Sequence, residues 1–219
     1  MRRALIAMIA GFVVVAGTEA QAQTCRGTVS IAHNARGILG AGTAFSNTVD
    51  AYGASVSGGS TGWFATGGVQ GLRYSDLATN TWAFTGLGGA QFTEPGNYFA
   101  VCPIGIVTYE RTTPIFAQEG VTGYTLTTMG GASTGVTAFQ STMFQIVPTA
   151  GFFIASDNAH VTANEEGTSA RETYGVLQFG VGVLIGIRSS ITPMWIVPIN
   201  KEGGENSFAI SYSFSFGRR

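Results

Sequence analysis

Large apolar and small polar residues alternate one by one over long stretches of this chain. In the clearest case, Ser207–Phe216, one face carries phenylalanine, isoleucine and tyrosine, and the other carries only serine and alanine. Residues 51–58, 142–155 and 173–187 alternate in the same way. A period of two is the signature of β-strands, whose successive side chains point to opposite faces. The pattern therefore predicts an all-β fold.

The polar face of these strands carries almost no charge. It consists of serine, glycine, threonine and glutamine, and charged residues make up only 11% of the chain, against about 25% in an ordinary soluble domain. A secreted sandwich or lipocalin-like barrel would place lysine, glutamate and arginine there. In an outer-membrane barrel, the apolar face meets lipid, the polar face lines a narrow lumen, and charges collect in loops. The composition favours the second architecture, a closed antiparallel transmembrane up-and-down β-barrel.

The rest of the composition excludes other classes. The formal net charge of −1 and the 11% aromatic residues argue against intrinsic disorder. No basic footprint for nucleic acid is present. The 32 glycines lack the three-residue period of collagen. No apolar run approaches the ~20 residues that a membrane-spanning helix requires.

Ten strands follow from the alternation, an even number as in bacterial barrels. They are 37–45, 51–58, 62–73, 80–91, 97–109, 121–137, 142–155, 173–187, 191–199 and 206–217. The first strand is the weakest, so eight strands with 23–50 as an extension are the alternative. Four prolines fall inside strands, at Pro103, Pro148, Pro193 and Pro198. A closed barrel has no free edge for a missing N–H donor, so the prolines must lie at bulges or strand ends.

The connections between these strands alternate in character. One set is mostly longer and holds ten acidic and, with Arg73, four basic residues; it comprises 46–50, 74–79, 110–120, 156–172 and 200–205. The other set is short and holds one acid and one base; it comprises 59–61, 92–96, 138–141 and 188–190. Long outer loops and short periplasmic turns are typical of outer-membrane barrels. With ten strands, both chain ends lie on the periplasmic side.

The N-terminus predicts export. Arg2 and Arg3 precede the apolar run 4–17, and Ala20-Gln21-Ala22 is an A-x-A cleavage pattern. We therefore expect a signal peptide over 1–22 and a barrel domain over 23–219. A retained membrane anchor is the alternative, but the run is short for a span of ~20 residues. A lipoprotein acylated at Cys25 fits the flanking residues poorly.

Cys25 and Cys102 are the two cysteines of the chain. An even pair in an exported protein predicts a disulfide, with two buried free thiols as the alternative. Both lie toward the periplasmic side in the ten-strand arrangement. The bond would tether the N-terminal segment beneath or inside the barrel, which requires Cys102 to face inward.

The chain from residue 23 onward resembles the small bacterial outer-membrane β-barrel proteins of the OmpA/OmpX type. The signal peptide, the alternating strands and the terminal SFAISYSFSFGRR carry the resemblance. It implies an outer-membrane location, contact with outer-membrane lipid, and insertion by machinery that reads a C-terminal aromatic strand. Such strands often end in phenylalanine, whereas Phe216 is followed by Gly217, Arg218 and Arg219.

Candidate chemistry is sparse. His160 shares the predicted loop 156–172 with Asp157, Glu165, Glu166, Ser169 and Glu172. A rim hydrolase would need a nucleophile, a base and an orienting acid within hydrogen-bond reach, and a solvated loop is the alternative. The four acids could hold Ca²⁺ or bridge cations to lipopolysaccharide, although their spacing matches no EF-hand. His33 has no acidic neighbour, and no Cys/His cluster or phosphate loop is present. We expect no cofactor and assign no catalytic or metal residue.

Aromatic residues fall mostly toward strand ends. Either interfacial girdles or ordinary packing explains this placement. They are Trp63, Trp82, Phe92, Tyr98, Tyr109, Tyr124, Tyr174, Trp195 and Tyr212.

Three functions remain. The leading one is a non-enzymatic barrel with a structural role, or with surface ligands at its acidic loops. A narrow passive pore is the second, because ten strands lie near the limit at which side chains fill the lumen. A rim enzyme acting on lipids or peptides is the third. The oligomeric state and the ligand are not encoded in these patterns.

Overall fold

A computed structural model describes residues 22–29, 37–59, 62–75, 80–93, 99–112, 121–163, 166–186 and 188–216. Ten antiparallel strands form the wall of a barrel. They are β1 Gly37–Phe45, β2 Val49–Gly59, β3 Trp63–Tyr74, β4 Asn80–Ala90, β5 Phe99–Thr112, β6 Val121–Val136, β7 Phe144–Ala163, β8 Glu166–Ile185, β9 Ser189–Ile199 and β10 Ser207–Phe216. Two-residue strands at Phe92–Thr93 and Phe139–Gln140 extend the edges of β5 and β7.

The ring is closed. Each strand pairs with its neighbours in the chain, and β10 pairs with β1 from Phe208↔Phe45 to Phe216↔Gly37. The predicted ten-strand up-and-down barrel is therefore confirmed. The eight-strand alternative is wrong, because β1 and β2 are full members of the ring rather than an extension. Among the described residues, no helix has the length and apolar content needed to cross a membrane.

The inward and outward faces follow the sequence pattern. On β10, Tyr212 and Phe214 are exposed, whereas Ser213 and Ser215 are buried. Small side chains therefore line the lumen at this strand, and large ones form the exterior. The same parity holds on β8, where Val176 and Leu184 on the inner face are buried.

The exterior carries a band of exposed aliphatic side chains between two aromatic belts. The aliphatic residues include Leu39, Val56, Val107, Ile154, Ile191 and Ile210. The belt toward one end includes Tyr52, Trp82, Tyr109, Tyr124 and Trp195, and the belt toward the other end includes Trp63, Phe92, Phe99, Phe139 and Phe144. Tyr174 does not belong to a girdle, because its side chain points into the lumen, and Tyr98 lies outside the described residues.

Connections alternate between two ends of the barrel. The loop end carries the connections 46–48, 75–79, 113–120, 164–165 and 200–206. The tethered end carries the connections 60–62, 91–98, 137–143 and 186–188, together with the start of β1 and the end of β10. The prediction of a long loop at 156–172 is wrong. β7 and β8 continue as a hairpin up to Ala163↔Glu166, because cross-strand pairs such as His160↔Ser169 extend the ladder beyond the apolar band.

The prolines lie where the ladders are interrupted. Pro103 and Pro193 face gaps in the pairing of β5 with β4 and of β9 with β8. Pro148 lies at a bulge, because the three residues 136–138 oppose the two residues 147–148 of β7 there. Pro198 lies beyond the end of the β9–β10 ladder. A missing N–H donor therefore costs no ladder hydrogen bond on the interrupted side.

Candidate functional site in the barrel lumen

A short N-terminal hairpin lies inside the tethered end. Ala22–Gln23 pairs with Thr28–Val29 around a 3₁₀ turn at Thr24–Arg26. Gly27 has a positive φ of 62° and packs against Gly182 of β8. A Cβ at Gly182 would lie 2.1 Å from the Gly27 carbonyl oxygen, so only glycine permits this approach. The Thr192 hydroxyl donates to the same carbonyl at 3.0 Å, where the β8–β9 ladder is interrupted.

A disulfide joins this hairpin to the wall. Cys25 bonds Cys102 of β5, the pairing that the sequence predicts, and Cys102 faces the lumen. Both residues are buried, with 1% and 0% of their surface exposed. The hairpin is therefore covalently held inside the barrel.

Apolar side chains fill one side of the lumen above the hairpin. Phe64 and Phe153 are almost fully buried and pack with Ile104, Val176 and the disulfide. Glycines on neighbouring strands make room for the two rings: a Cβ at Gly89 would lie 2.6 Å from Phe64 Cζ, and one at Gly151 would lie 2.8 Å from Phe153 Cε2. This part of the lumen is a packed core rather than a channel.

The other side of the lumen is lined by small residues. The inward positions of β1, β2, β3 and β10 surround a cavity of about 290 Å³, and they include Gly40, Gly42, Gly53, Ser55, Gly68 and Ser211. Gln70 and Thr85 also line it and are joined by a hydrogen bond of 2.8 Å. The predicted small polar lining therefore holds for one side of the barrel, and the core occupies the rest.

Arg26 forms the floor of this cavity together with Thr28. The Arg26 Nη1 group donates to Thr66 Oγ1 at 3.3 Å, and its Cζ lies 5.2 Å from the centre of the Phe64 ring. The side chain lies inside the barrel wall, and its uncovered part borders the cavity. The hairpin thus places a cation at the base of an otherwise uncharged cavity.

A polar network crosses the lumen toward the loop end. Lys201 Nζ contacts Asp157 Oδ2 at 2.8 Å and the Tyr174 hydroxyl at 3.1 Å, and it lies 4.3 Å from the centre of that ring. The Thr127 hydroxyl donates to Asp157 Oδ1 at 2.7 Å. Tyr74 donates to Glu110 on the same inward face. Burial opposes the charge of Lys201, but its hydrogen bonds to Asp157 and Tyr174 hold the pKa of Lys201 above the ordinary 10.5.

The turn 200–206 ties this network to the mouth of the barrel. The Glu202 amide donates to the Glu172 carboxylate at 2.7 Å, and Glu205 accepts two hydrogen bonds from Thr48 of the neighbouring turn, each of 3.1 Å. A second cavity of about 420 Å³ lies beneath the turn. Ala44 and Ala51 line both cavities, so the two meet there.

The wall and the lumen together decide the class of the protein. A closed ring satisfies the backbone groups of every strand within the wall, which hydrocarbon requires. An apolar exterior band between two aromatic belts surrounds a small lumen. The chain has the architecture of a small outer-membrane β-barrel.

The comparisons with known proteins add little to this conclusion. A scan with protein-family models finds no match, and a search of the curated proteins finds none either. The chain is similar to the N-terminal β-barrel domain of Pseudomonas aeruginosa OprF, at 11% identity and a TM-score of 0.39, with 84% of this chain and 100% of that chain covered. It is also similar to the KdgM porin, free and in complex with disordered oligogalacturonate, in each case at 7% identity and a TM-score of 0.38, with 82% and 99% covered. Similarity at these TM-scores carries no argument about ligands.

The structure brings His160 and Ser169 together but assembles no triad within the part of the chain that it describes. His160 Nδ1 lies 2.9 Å from Ser169 Oγ on the outer face of the β7–β8 hairpin, and its ring lies 5.4 Å from the Tyr124 ring. Its other nitrogen lies 3.3 Å from Thr162 Oγ1. Asp157 points to the lumen, so it cannot orient this histidine. His33 lies outside the described residues.

Two of the four acids named as candidate cation ligands, Asp157 and Glu172, have side chains that the structure describes. Asp157 and Glu172 are cross-strand partners that face inward, and each is engaged by the Lys201–Glu202 turn. Glu165 lies outside the described residues, and only the backbone of Glu166 is described. Across the described ranges, no cluster of three or more histidine, cysteine or acidic residues could hold a metal ion.

Two features were not predicted from the sequence. The sequence pattern does not predict the lumen network of Asp157, Tyr174 and Lys201, because Asp157 and Lys201 lie in the predicted loops 156–172 and 200–205. Its signal was present, since Tyr174 has the parity of Gln178 on the inner face of β8. Arg26 was missed because a single cation next to Cys25 has no pattern. The predicted disulfide was the available clue, because a bond to an inward-facing Cys102 brings the residues next to Cys25 into the barrel.

Proposed function

We propose that the protein is exported by its N-terminal signal peptide and resides in the outer membrane. The support is the exterior apolar band with its two aromatic belts, which would be costly in water and is suited to lipid. The protein should then be extracted from membranes only by detergent and should migrate differently on a gel before and after boiling. Full extraction by salt or alkali without detergent would contradict the location.

The barrel acts as a closed structural or surface-interaction protein rather than as an open pore. One observation carries this proposal: the disulfide-held hairpin lies inside the tethered end and packs against the Phe64 and Phe153 core. No continuous aqueous path is expected while the hairpin is in place.

Planar-bilayer conductance tests the closed lumen. The folded wild-type protein should give no stable conductance steps, with a known porin measured in parallel to verify the assay. Deleting residues 23–29 in a Cys102→Ser background removes the floor of the 290 Å³ cavity and should produce small steps. Cys102→Ser with the hairpin intact is the matched control and should stay closed. Stable steps from the wild-type protein would refute the proposal.

A narrow passive pore is the second candidate. Its support is the meeting of the two cavities at Ala44 and Ala51, which joins them into one space between Arg26 and the 200–206 turn. In that case the wild-type protein itself would conduct, and deleting 23–29 would only raise the size of the steps.

The loop end faces the cell exterior in this proposal, and the barrel-insertion machinery reads the aromatic strand β10. Acidic groups at that end, such as Glu202, would meet surface ligands or cations. A tag inserted at Asn164 should be detected on intact cells, whereas a tag at Arg188, in the connection before β9, should be detected only after the outer membrane is permeabilised. The reverse pattern would show that the barrel is inserted the other way.

No enzymatic activity is part of this proposal. The His160–Ser169 pair lacks an orienting carboxylate among the described residues, and triad chemistry depends on such a group. Mass spectrometry of lipid A from cells that express the wild-type protein or His160→Ala should give identical spectra. A modification that depends on His160 would replace this proposal with a rim hydrolase.

A further inference from the structure

Arg26 is a partly buried cation that lacks an anionic partner in the part of the chain that the structure describes. Its neighbours are the neutral Thr66 hydroxyl and the Phe64 ring. The ion pair in that part of the chain joins Lys201 and Asp157, toward the opposite end of the lumen. A buried guanidinium is stabilised when its remaining donors are satisfied by an anion. The uncovered part of Arg26 borders the cavity, so an anion in the cavity would reach it.

The cavity above Arg26 leads toward the loop end. It extends from Ile38, near the floor, to Ala44 and Ala51, where the upper cavity begins. The upper cavity lies beneath the 200–206 turn and is lined by Gln178 and Glu205. On the other side of Arg26 lies the disulfide-held hairpin that carries it. The described residues therefore form a pocket that opens toward the loop end and has a charged base.

We propose that this cavity is a blind binding pocket for a small organic carboxylate, whose charged group lies on Arg26. A guanidinium carries five N–H donors in a planar fork that matches a carboxylate in a bidentate manner. One N–H group of Arg26 donates to Thr66, so two other N–H groups of the guanidinium can pair with the carboxylate of the ligand. One cation at the floor suits one negative charge.

The walls of the pocket favour a short alkyl or lightly substituted chain. Glycine, alanine and serine line most of it, and Ile38 and Leu87 add apolar surface near the base. The volume of about 290 Å³ lies at the lower edge of the ~300–1000 Å³ range of small-molecule pockets. A dianionic inorganic phosphate would need several further donors, whereas the described floor supplies one guanidinium and a few hydroxyl groups.

Calorimetric titration of the full, folded protein in a non-ionic detergent tests the pocket. The probes are sodium hexanoate, the neutral isostere hexanamide, and inorganic phosphate. Hexanoate should bind, and hexanamide should bind at least about tenfold more weakly, because it lacks the charge that the guanidinium recognises. Arg26→Gln should weaken hexanoate binding by a similar factor. Arg188→Gln, which removes an exposed arginine, should leave it unchanged.

A second variant keeps Arg26 and the hairpin intact. Ala51→Phe places a ring where the two cavities meet and should abolish hexanoate binding, whereas Ala65→Phe on the outer face of β3 should not. Equal binding by the wild type, Arg26→Gln and Ala51→Phe would overturn the proposal, as would absence of hexanoate binding by the wild-type protein. Preference for phosphate over hexanoate would overturn the carboxylate assignment. The calorimetric test of the pocket is independent of the conductance test, because binding is measured in detergent. Conductance by the wild-type protein would refute the closed lumen and would leave the binding result unchanged.

Discussion

Phe152 and Phe153 are neighbours in β7 with opposite surroundings. Phe152 lies on the outer face with 50% of its surface exposed, whereas Phe153 lies in the lumen core with 1% exposed. The alternation of a strand thus places two chemically identical side chains on the barrel exterior and in the lumen core. Since the core closes one side of the lumen, Phe153 stabilises both the fold and the closure.

We expect Phe153→Ala to destabilise the barrel by about 3–5 kcal/mol, the cost of a buried phenylalanine with its cavity. Phe152→Ala on the outer face should cost clearly less, because lipid can fill the space that it leaves. Urea unfolding in lipid vesicles, followed by tryptophan fluorescence, measures both. Equal losses would show that the lumen core does not pack as described.

Lys201 is the residue that ties the 200–206 turn to the lumen. Its hydrogen bonds to Asp157 and Tyr174 raise its pKa when the protein is folded. A group with a raised folded pKa contributes stability that is complete below its unfolded pKa and is lost as the pH rises through the folded value. The stabilisation that Lys201 provides is therefore fully present at neutral pH and weakens above the ordinary pKa of 10.5.

The wild-type barrel should lose more thermal stability between pH 8 and strongly alkaline pH than Lys201→Met does. The variant lacks the titrating amine but keeps every other alkaline group, so the difference between the two isolates Lys201. The temperature of the gel-mobility shift, measured across the pH series, gives the comparison. If the gel-shift temperature of the two proteins falls equally with rising pH, Lys201 is not the cause of the alkaline destabilisation.

At the scale of elements, the strands of the apolar band were predictable, and those outside it were not. The alternation of large and small residues predicts β10 and residues 173–185 of β8, because a lipid-facing exterior and a narrow lumen would favour opposite side-chain sizes on alternate residues. The extension of β7 and β8 through 156–172 lies beyond that band, and water accepts polar residues on both faces there. Asp157 and Glu172 therefore resembled loop residues, although they are paired strand residues.

The free-energy cost of a charge on the outer face of β7 should depend on how close the residue lies to the aliphatic band. Ile154 lies in the aliphatic band, and Asn158 lies four residues, or about 13 Å of strand, closer to the loop end. Ile154→Arg should cost about 2–4 kcal/mol and impair insertion, whereas Asn158→Arg should cost about 0–1 kcal/mol. Folded yield and unfolding in vesicles measure the two. If Ile154→Arg changes neither the folded yield nor the stability, lipid does not contact this part of the outer face.

For the whole molecule, the ten-strand ring and its tether were predictable from the alternation and from two cysteines, but the contents of the lumen were not. Periodicity shows that a residue faces inward, and it does not show how inward residues from distant strands meet. Phe64 and Phe153 meet across the barrel, whereas Gly53 and Ser211 leave a cavity. The candidate pocket depends on that unequal filling and on Arg26, which the hairpin delivers.

Tryptic digestion under non-reducing conditions tests the tether in the native protein. The peptide that ends at Arg26 should be linked to the peptide 74–111, which contains Cys102. Reduction should release the two peptides, which serves as the control. Recovery of both cysteines as alkylated free thiols from an oxidising periplasm would exclude the bond.

Cys25 and Cys102 lie inside a wall that has no free edge. A protein oxidant cannot reach two sulfur atoms enclosed in this way, so we expect the bond to form before β10 pairs with β1. We expect residues 25 and 102 to be joined while the second half of the chain is still unpaired, so that the later strands wrap around the hairpin. During biogenesis, oxidation should then precede closure, and a chain that closes while reduced should remain reduced.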